Sequence, residues 1–281
     1  MLDEYGVEMP KIEKGQRLGP WILDKLLVRH QKTCEIWSAL HFSNKSRVAL
    51  KVKDFEEMTE EVRFMIMCCH ETATLPIMDI KTKYKGDMFG TYKHLGWIAM
   101  KQYETDLYHL EQTTALKFWK TILEQCVSQV YLMNKMHAVH TDLKSMNILI
   151  TANEDTNFCE AAICDFGLAD NVDLLIRKGR PSEDDDYYMM CGGMYPGQPM
   201  GARIDYEAIG IALGFAMLGM SYQKHFQVYD KSVAHQRKWE VLKDAIPTPL
   251  HKYFEFVSEM KWTDTGMPSE LYHRITNWLK T

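Results

Sequence analysis

The sequence predicts an α+β protein in which a small strand-rich lobe is followed by a larger helical lobe. Three observations point there. Short apolar segments separated by polar turns fill residues 21–100, which is the texture of strands. Beyond residue 106, apolar residues recur at three- and four-residue spacing, which is the texture of helices. The chain has 281 residues, 46% of them hydrophobic and 25% charged, enough for a sizeable core in one domain or two closely packed lobes.

Taken in order, Trp21-Ile22-Leu23, Glu35-Ile36-Trp37, residues 47–52 and residues 96–100 read as strands. One helix interrupts them. Asp54 is placed to cap it, Glu56 and Glu57 suit its first turn, and Met58, Val62, Met65, Ile66 and Cys69 follow at helical spacing. In the second lobe, residues 115–138 carry Phe118, Ile122, Cys126, Val130 and Met133 on one side, a stripe that needs a core to face. Residues 208–220 are apolar almost all round, which predicts a buried helix; at 13 residues the run is too short to span a bilayer. Two amphipathic segments flank residues 264–268 near the end.

Composition narrows the function classes. Lys and Arg number 33 against 38 Asp and Glu, for a formal charge of −5, so there is no general electrostatic case for nucleic acid or an acidic membrane. The seven cysteines are scattered without metal-ligand spacing and read as reduced thiols of an intracellular protein. Residues 1–14 lack an apolar run behind basic residues, so no secretory leader is expected. The 19 methionines read as flexible core filler.

The sharpest chemical signal is His140-Thr141-Asp142-Leu143-Lys144-Ser145-Met146-Asn147, running into the apolar Ile148-Leu149-Ile150, with Asp165-Phe166-Gly167 after a second apolar stretch. If those two stretches pair as strands, Asp142, Asn147 and Asp165 converge. Two carboxylates and an amide suit a hard, oxygen-seeking cation beside phosphates. Lys144, two residues past Asp142, shares its face on an extended backbone.

This H-x-D-x-K-x-x-N followed by D-F-G resembles the catalytic core of the eukaryotic protein kinases. The resemblance implies a bilobal protein-kinase-like fold with an N-lobe at about 15–100, a hinge at about 101–106 and a C-lobe at about 107–281. It implies ATP and Mg²⁺ as cofactors and a protein hydroxyl as acceptor. Asp142 would take the hydroxyl proton, Lys144 would steady the transferring phosphoryl group, and Asn147 and Asp165 would hold the metal. A lysine two residues past Asp142 is similar to the Ser/Thr-directed loop. Val48-Ala49-Leu50-Lys51 resembles the kinase V-A-I-K strand, making Lys51 the phosphate-binding lysine and Glu61 its helix partner, with Lys53 confusable with Lys51 and Glu57 and Glu60 as rivals to Glu61. Met100 resembles the gatekeeper, with Lys101 and Tyr103 offering backbone groups to adenine.

Residues 100–107, 204–210 and 250–279 are also similar to the casein-kinase-one and vaccinia-related kinase group. Small-molecule phosphotransferases share an H-x-D-x-x-x-x-N loop, but Lys144 with Phe166-Gly167 fits protein kinases better. No membrane or direct nucleic-acid partner is expected, oligomeric state is left open, and an intracellular location follows, cytoplasmic with the nucleus left open.

Three departures stand against the kinase pattern. Residues 28–35 contain no glycine where a phosphate-covering G-x-G-x-x-G belongs, and Arg29, Gln31 and Cys34 align with the glycines. Arg29, His30 and Lys32 either supply side-chain phosphate ligands instead or form a basic solvated turn. That loop motivates the alternative reading, a pseudokinase scaffold. Thr141 stands where many kinases carry an arginine that receives a phosphorylated activation segment, so activity is not expected to need that phosphorylation. Finally, residues 194–200 replace A-P-E, as in the casein-kinase-one group, and the acidic run 183–188 reads as a solvated face.

Overall fold

A computed structural model describes residues 11–30, 34–71, 89–178, 201–219 and 247–281. The chain divides into two compact units, Met1–Tyr103 and Glu104–Thr281. Strands and helices together make a mixed α+β protein, as the texture of the sequence predicts.

Among its described residues the first unit is an antiparallel sheet of six strands with one helix. The strands are β1 (Arg17–Leu18), β2 (Trp21–His30), β3 (Cys34–His41), β4 (Arg47–Asp54), β5 (Phe89–Tyr92) and β6 (Leu95–Met100), in the order β1-β2-β3-β4-β6-β5. Period-2 alternation sorts its faces. Leu50 and Val52 of β4, Trp97 and Ala99 of β6, and Trp21, Leu23 and Trp37 pack into one buried cluster. The intervening positions of β4, Lys51 and Lys53, therefore point to the opposite face. Helix α1 (Phe55–Glu71) packs against β4 and β6. Asp54 Oδ1 accepts the Glu56 amide at 2.8 Å, which satisfies one of the helix's orphan donors. Met58, Val62 and Met65 are buried, as their spacing predicts; the side chains of Ile66 and Cys69 lie outside the described residues.

Gly96 sets how closely α1 approaches the sheet, because a Cβ built on it would lie 2.7 Å from Met58 Cβ. Two features of this unit exceed the sequence reading. β2 runs to His30 and not only to Leu23, because it pairs along most of its length with β3 through two register irregularities. β5 was not expected as a strand; it is an edge strand whose Phe89 is half exposed.

In the second unit, helix α2 (Gln112–Lys135) buries Phe118, Ile122, Cys126, Val130 and Met133. Around it stand β7 (Thr105–Asp106), β8 (Ala138–Val139), β9 (Ile148–Asn153), β10 (Phe158–Ile163) and β11 (Asp170–Asn171), then α3 (Val172–Lys178), α4 (Arg203–Leu218), α5 (His251–Ser258) and α6 (Ser269–Leu279). β9 sits between β7 and β10, and β8 pairs with β11. The free edge of β10 is covered by two glutamines one helical turn apart on α2. Gln125 accepts from the Ala161 amide at 2.6 Å and donates to the Cys159 carbonyl at 3.2 Å. Gln129 accepts from the Ile163 amide and donates to the Ala161 carbonyl, both at 2.9 Å. The edge of β10 is in this way hydrogen-bonded up to its last residue, Ile163.

Helix α4 is buried on nearly every face, in keeping with its apolar sequence. It ends at Gly219, whose φ of 92° suits glycine and whose amide returns to Phe215 O at 3.0 Å. Tyr206 on α4 donates to Asn134 Oδ1 on α2, and Tyr253 on α5 donates to Tyr206 O, each at 2.8 Å. Desolvation pushes both buried phenols well above their usual range, so both stay neutral donors. Cys126 and Cys159 are buried thiols outside any disulfide, and desolvation pushes both well above the usual thiol range. Among the described residues no helix is long and apolar enough to cross a membrane.

Gly96→Ala is expected to lower stability by about 1–3 kcal/mol, the usual cost of overpacking a tight contact. Urea unfolding measures it; an unchanged midpoint would show that α1 does not rest on Gly96 as closely as described.

Candidate active site

Two candidate residues of the first unit, Lys51 on β4 and Glu61 on α1, meet directly. Lys51 Nζ donates to Glu61 Oε1 at 2.7 Å, and both side chains are almost wholly buried. Glu61, one of the three glutamates open in the sequence, thus meets Lys51. Lys53 joins the pair: its Nζ lies 3.4 Å from Glu61 Oε2 and 3.3 Å from the exposed Glu57. Glu61 Oε2 makes no hydrogen bond among the described residues and is approached by the Lys53 ammonium. A carboxylate shared between two buried ammonium groups is costly to strip of either partner, since removing one leaves an uncompensated charge. The Glu60 side chain lies outside the described residues.

Met100 ends β6 opposite Ala49 and is buried; Lys101 is exposed and Tyr103 is buried. The Lys101 ammonium lies 5.3 Å from the Tyr103 ring centre. Between them Gln102 accepts a hydrogen bond from buried Ser38 at 2.9 Å, which ties this segment to β3. Arg29, read as a substitute phosphate ligand, is held by Glu35: Nε and Nη2 reach Oε1 at 2.9 and 2.8 Å, and Trp37 Nε1 donates to the other oxygen at 2.8 Å. Phosphate would have to compete with that carboxylate. Gln31, Lys32 and the His30 side chain lie outside the described residues, as do residues 183–188 and 194–200.

In the second unit the loop from His140 to Asn147 bridges β8 and β9. Its hydrogen bonds converge on Asp142. Lys144 Nζ donates to Asp142 Oδ2 at 2.7 Å, and Asn147 Nδ2 donates to the same oxygen at 3.1 Å and to Asp142 O at 2.8 Å. Asp142 and Asn147 are buried.

The pairing on which convergence depended is present: β9 and β10 run antiparallel with Ile148 opposite Ile163. Beyond the last rung, the Cys164 amide donates to Asn147 O at 2.9 Å, and Cys164 O receives His140 Nε2 at 3.0 Å. His140 Nδ1 accepts the Asp142 amide at 3.3 Å, so a ring protonated on Nε2 satisfies both bonds. The residue before Asp165 is thereby gripped on both sides by residues that flank Asp142. Asp165 then turns sharply, with φ 66° and ψ 71°, into a 3₁₀ turn (Phe166–Leu168) whose buried Phe166 ring lies 5.2 Å from that of His140.

One residue beneath the loop went unrecognised as a site residue in the sequence. The buried Asp205 on α4 accepts the amides of His140 and Thr141 at 2.6 and 3.0 Å. Desolvation raises its pKa, opposed by His140 and by these two bonds. A carboxylate set in the apolar run Ile204-Asp205-Tyr206 is the signal that could have found it, because a buried acid must have partners. Thr141 also donates its hydroxyl to Leu168 O at 2.7 Å. No group of three or more His, Cys, Asp or Glu among the described residues is arranged to hold a metal unaided.

No protein-family model matches the chain. Extracellular signal-regulated kinase 1 of Candida albicans (strain WO-1) is 25% identical over 164 residues, which is 55% of this chain and 35% of that protein. Mitogen-activated protein kinase 5 of Oryza sativa subsp. indica is 31% identical over 93 residues, 32% of this chain and 21% of that protein. The match thus spans about a third or less of each relative's length. These partial similarities support a eukaryotic protein kinase and do not distinguish the casein-kinase-one and vaccinia-related group from others.

Asp205→Ala is expected to leave two buried amides without an acceptor, at about 1–3 kcal/mol each. Asp205→Asn, which keeps one oxygen, should cost less. Chemical unfolding of the two variants gives the comparison, and equal, negligible shifts would mean that the loop does not hang on Asp205.

Proposed function

We propose that the chain is a Ser/Thr protein kinase that moves the γ-phosphoryl group of ATP to a protein hydroxyl. The single observation that carries the reading is the convergence of Lys144 and Asn147 on Asp142, with Cys164 gripped between Asn147 and His140 next to Asp165. In this reading Asp142 accepts the hydroxyl proton as the oxygen attacks the γ-phosphorus. The new P–O bond forms as the bond to the bridging oxygen of ADP breaks. Lys144, already at the Asp142 carboxylate, neutralises charge on the phosphoryl oxygens. Lys51, steadied by Glu61, holds the nucleotide's phosphates, and the backbone of Lys101 and Tyr103 beyond the Met100 gatekeeper meets adenine.

The donor chemistry fits Mg²⁺. One carboxylate from Asp165 and one amide oxygen from Asn147 are hard ligands, and an ion that keeps several waters and phosphate oxygens needs few protein ligands. When bound, the ion supplies charge neutralisation at the β- and γ-phosphates. Positioning and electrostatics account for the rate in such a site.

The finer assignments belong to the same proposal: a bilobal organisation with boundaries near 15–100, 101–106 and 107–281, kinship with the casein-kinase-one and vaccinia-related group, protein substrates, and an intracellular place of action, cytoplasmic or nuclear. A second reading, a scaffold that retains the fold without efficient transfer, is supported by the glycine-free segment 28–35 and by the engagement of Arg29 with Glu35.

Incubation with radiolabelled ATP, Mg²⁺ and a panel of protein acceptors separates the two. The kinase reading expects labelling of Ser or Thr, lowered by about 10²–10⁴-fold in Asp142→Asn and abolished in Asp165→Asn. Labelling that survives both substitutions would remove the assigned roles, and none in the wild type would favour the scaffold.

A further inference from the structure

The stretch after Asp165 lies along the strand that leads into the catalytic loop. Val172 N donates to His137 O at 2.9 Å, and Asn171 and Asp170 pair with Ala138 and Val139. There the backbone ladder stops. The next two amides, of His140 and Thr141, are committed to Asp205, and Thr141 turns to φ 67°. No backbone donor of Thr141 remains for Leu168 O. The Thr141 hydroxyl reaches it instead, at 2.7 Å, so a side chain adds one more rung where the backbone cannot.

We infer that Thr141 is a positioning residue whose hydroxyl ties the loop carrying Asp142 to the turn that begins at Asp165, and that it does so without phosphorylation. The consequence for catalysis rests on the kinase reading; the tether itself does not. A β-branched residue at positive φ is unfavourable and persists where its surroundings over-determine it. Thr141 is 3% exposed and is held through both its amide and its hydroxyl. Leu168 is the last residue of the 3₁₀ turn that opens at Asp165 and that the Ala169 amide closes on Phe166 O at 3.1 Å, so releasing Leu168 loosens the turn that follows Asp165. Thr141 is also the immediate chain neighbour of Asp142. One hydroxyl therefore joins the residue beside the proposed base to the turn beside the proposed metal ligand.

Thr141→Val keeps the branched shape and the backbone cost and removes only the donor; Thr141→Ser keeps the donor. Hydrogen–deuterium exchange on the full chain, free of metal and nucleotide, reads the tether directly. In Thr141→Val, amides of residues 166–172 should exchange about 5-fold faster, the effect of losing one hydrogen bond. Thr141→Ser should match the wild type, and α4 should be unchanged in both. If the valine variant also loses protection in α4, it has unfolded, and Thr141→Ala replaces it in the comparison.

Unchanged exchange at 166–172 on loss of the hydroxyl, or equal acceleration with serine, overturns the inference. In the transfer assay, the Mg²⁺ concentration for half-maximal rate should rise in Thr141→Val and recover in Thr141→Ser, and phosphatase treatment should leave the wild-type rate unaltered. A rise that serine does not reverse, or loss of rate on phosphatase treatment, also overturns it. A wild type without any transfer activity would sink the kinase reading while the exchange experiment still decides the tether.

Discussion

A carboxylate buried in an apolar helix is costly to desolvate, and Asp205 is buried in the first turn of α4. Its burial is offset in large part by what it holds: the amides of His140 and Thr141, at 2.6 and 3.0 Å. That exchange fixes the start of the loop in space. With the two amides turned toward α4, His140 is oriented to clasp Cys164, Thr141 is forced into its left-handed conformation, and Asp142 emerges where Lys144 and Asn147 meet it. The geometry of the second unit's candidate site follows from this one desolvated group and from the stiffness of α4, which is packed against α2 and α5 through Tyr206 and Tyr253.

The other half of the framework is β10. Strand edges fray unless something pairs with them, and Gln125 and Gln129 supply four hydrogen bonds from a rigid helix along this one. Asp165 is therefore delivered by a strand clamped on one side by β9 and on the other by α2. The proposed placing of a small ion and a phosphate there would benefit from elements that cannot slide. In the first unit, β4 does similar work: strict alternation puts Leu50 and Val52 into the core and Lys51 and Lys53 toward Glu61.

Much of this was legible in the residues. Helical spacing announced α2 and the buried side of α1, a run apolar all round announced α4, and the place of Glu61 between Met58 and Met65 favoured it over its rivals Glu57 and Glu60. The order H-x-D-x-K-x-x-N, then D-F-G, named the members of the loop before any coordinates did. What stayed hidden has a common cause. Asp205 acts on residues 64 and 65 positions earlier, and Gln129 on residues 32 and 34 positions later; contacts at such separations leave no local period to read. The full length of β2 was masked because Lys25 and Arg29 interrupt its apolar texture, and half-exposed β5 has no buried face to pattern. Lys53 looked like a competitor for the role of Lys51, whereas the two share one carboxylate.

The weakest correspondence with a phosphate-binding protein is the hairpin of β2 and β3, which lacks glycine and whose Arg29 already has a carboxylate partner. Whether nucleotide and metal meet the residues assigned to them is decided most directly by a crystal structure with a nonhydrolysable ATP analogue and Mg²⁺. The account predicts Mg²⁺ bound by the Asp165 carboxylate and the Asn147 amide oxygen, with the Lys51 ammonium on the phosphates. Nucleotide bound with its phosphates away from Lys51, or a metal held by other side chains, would contradict it.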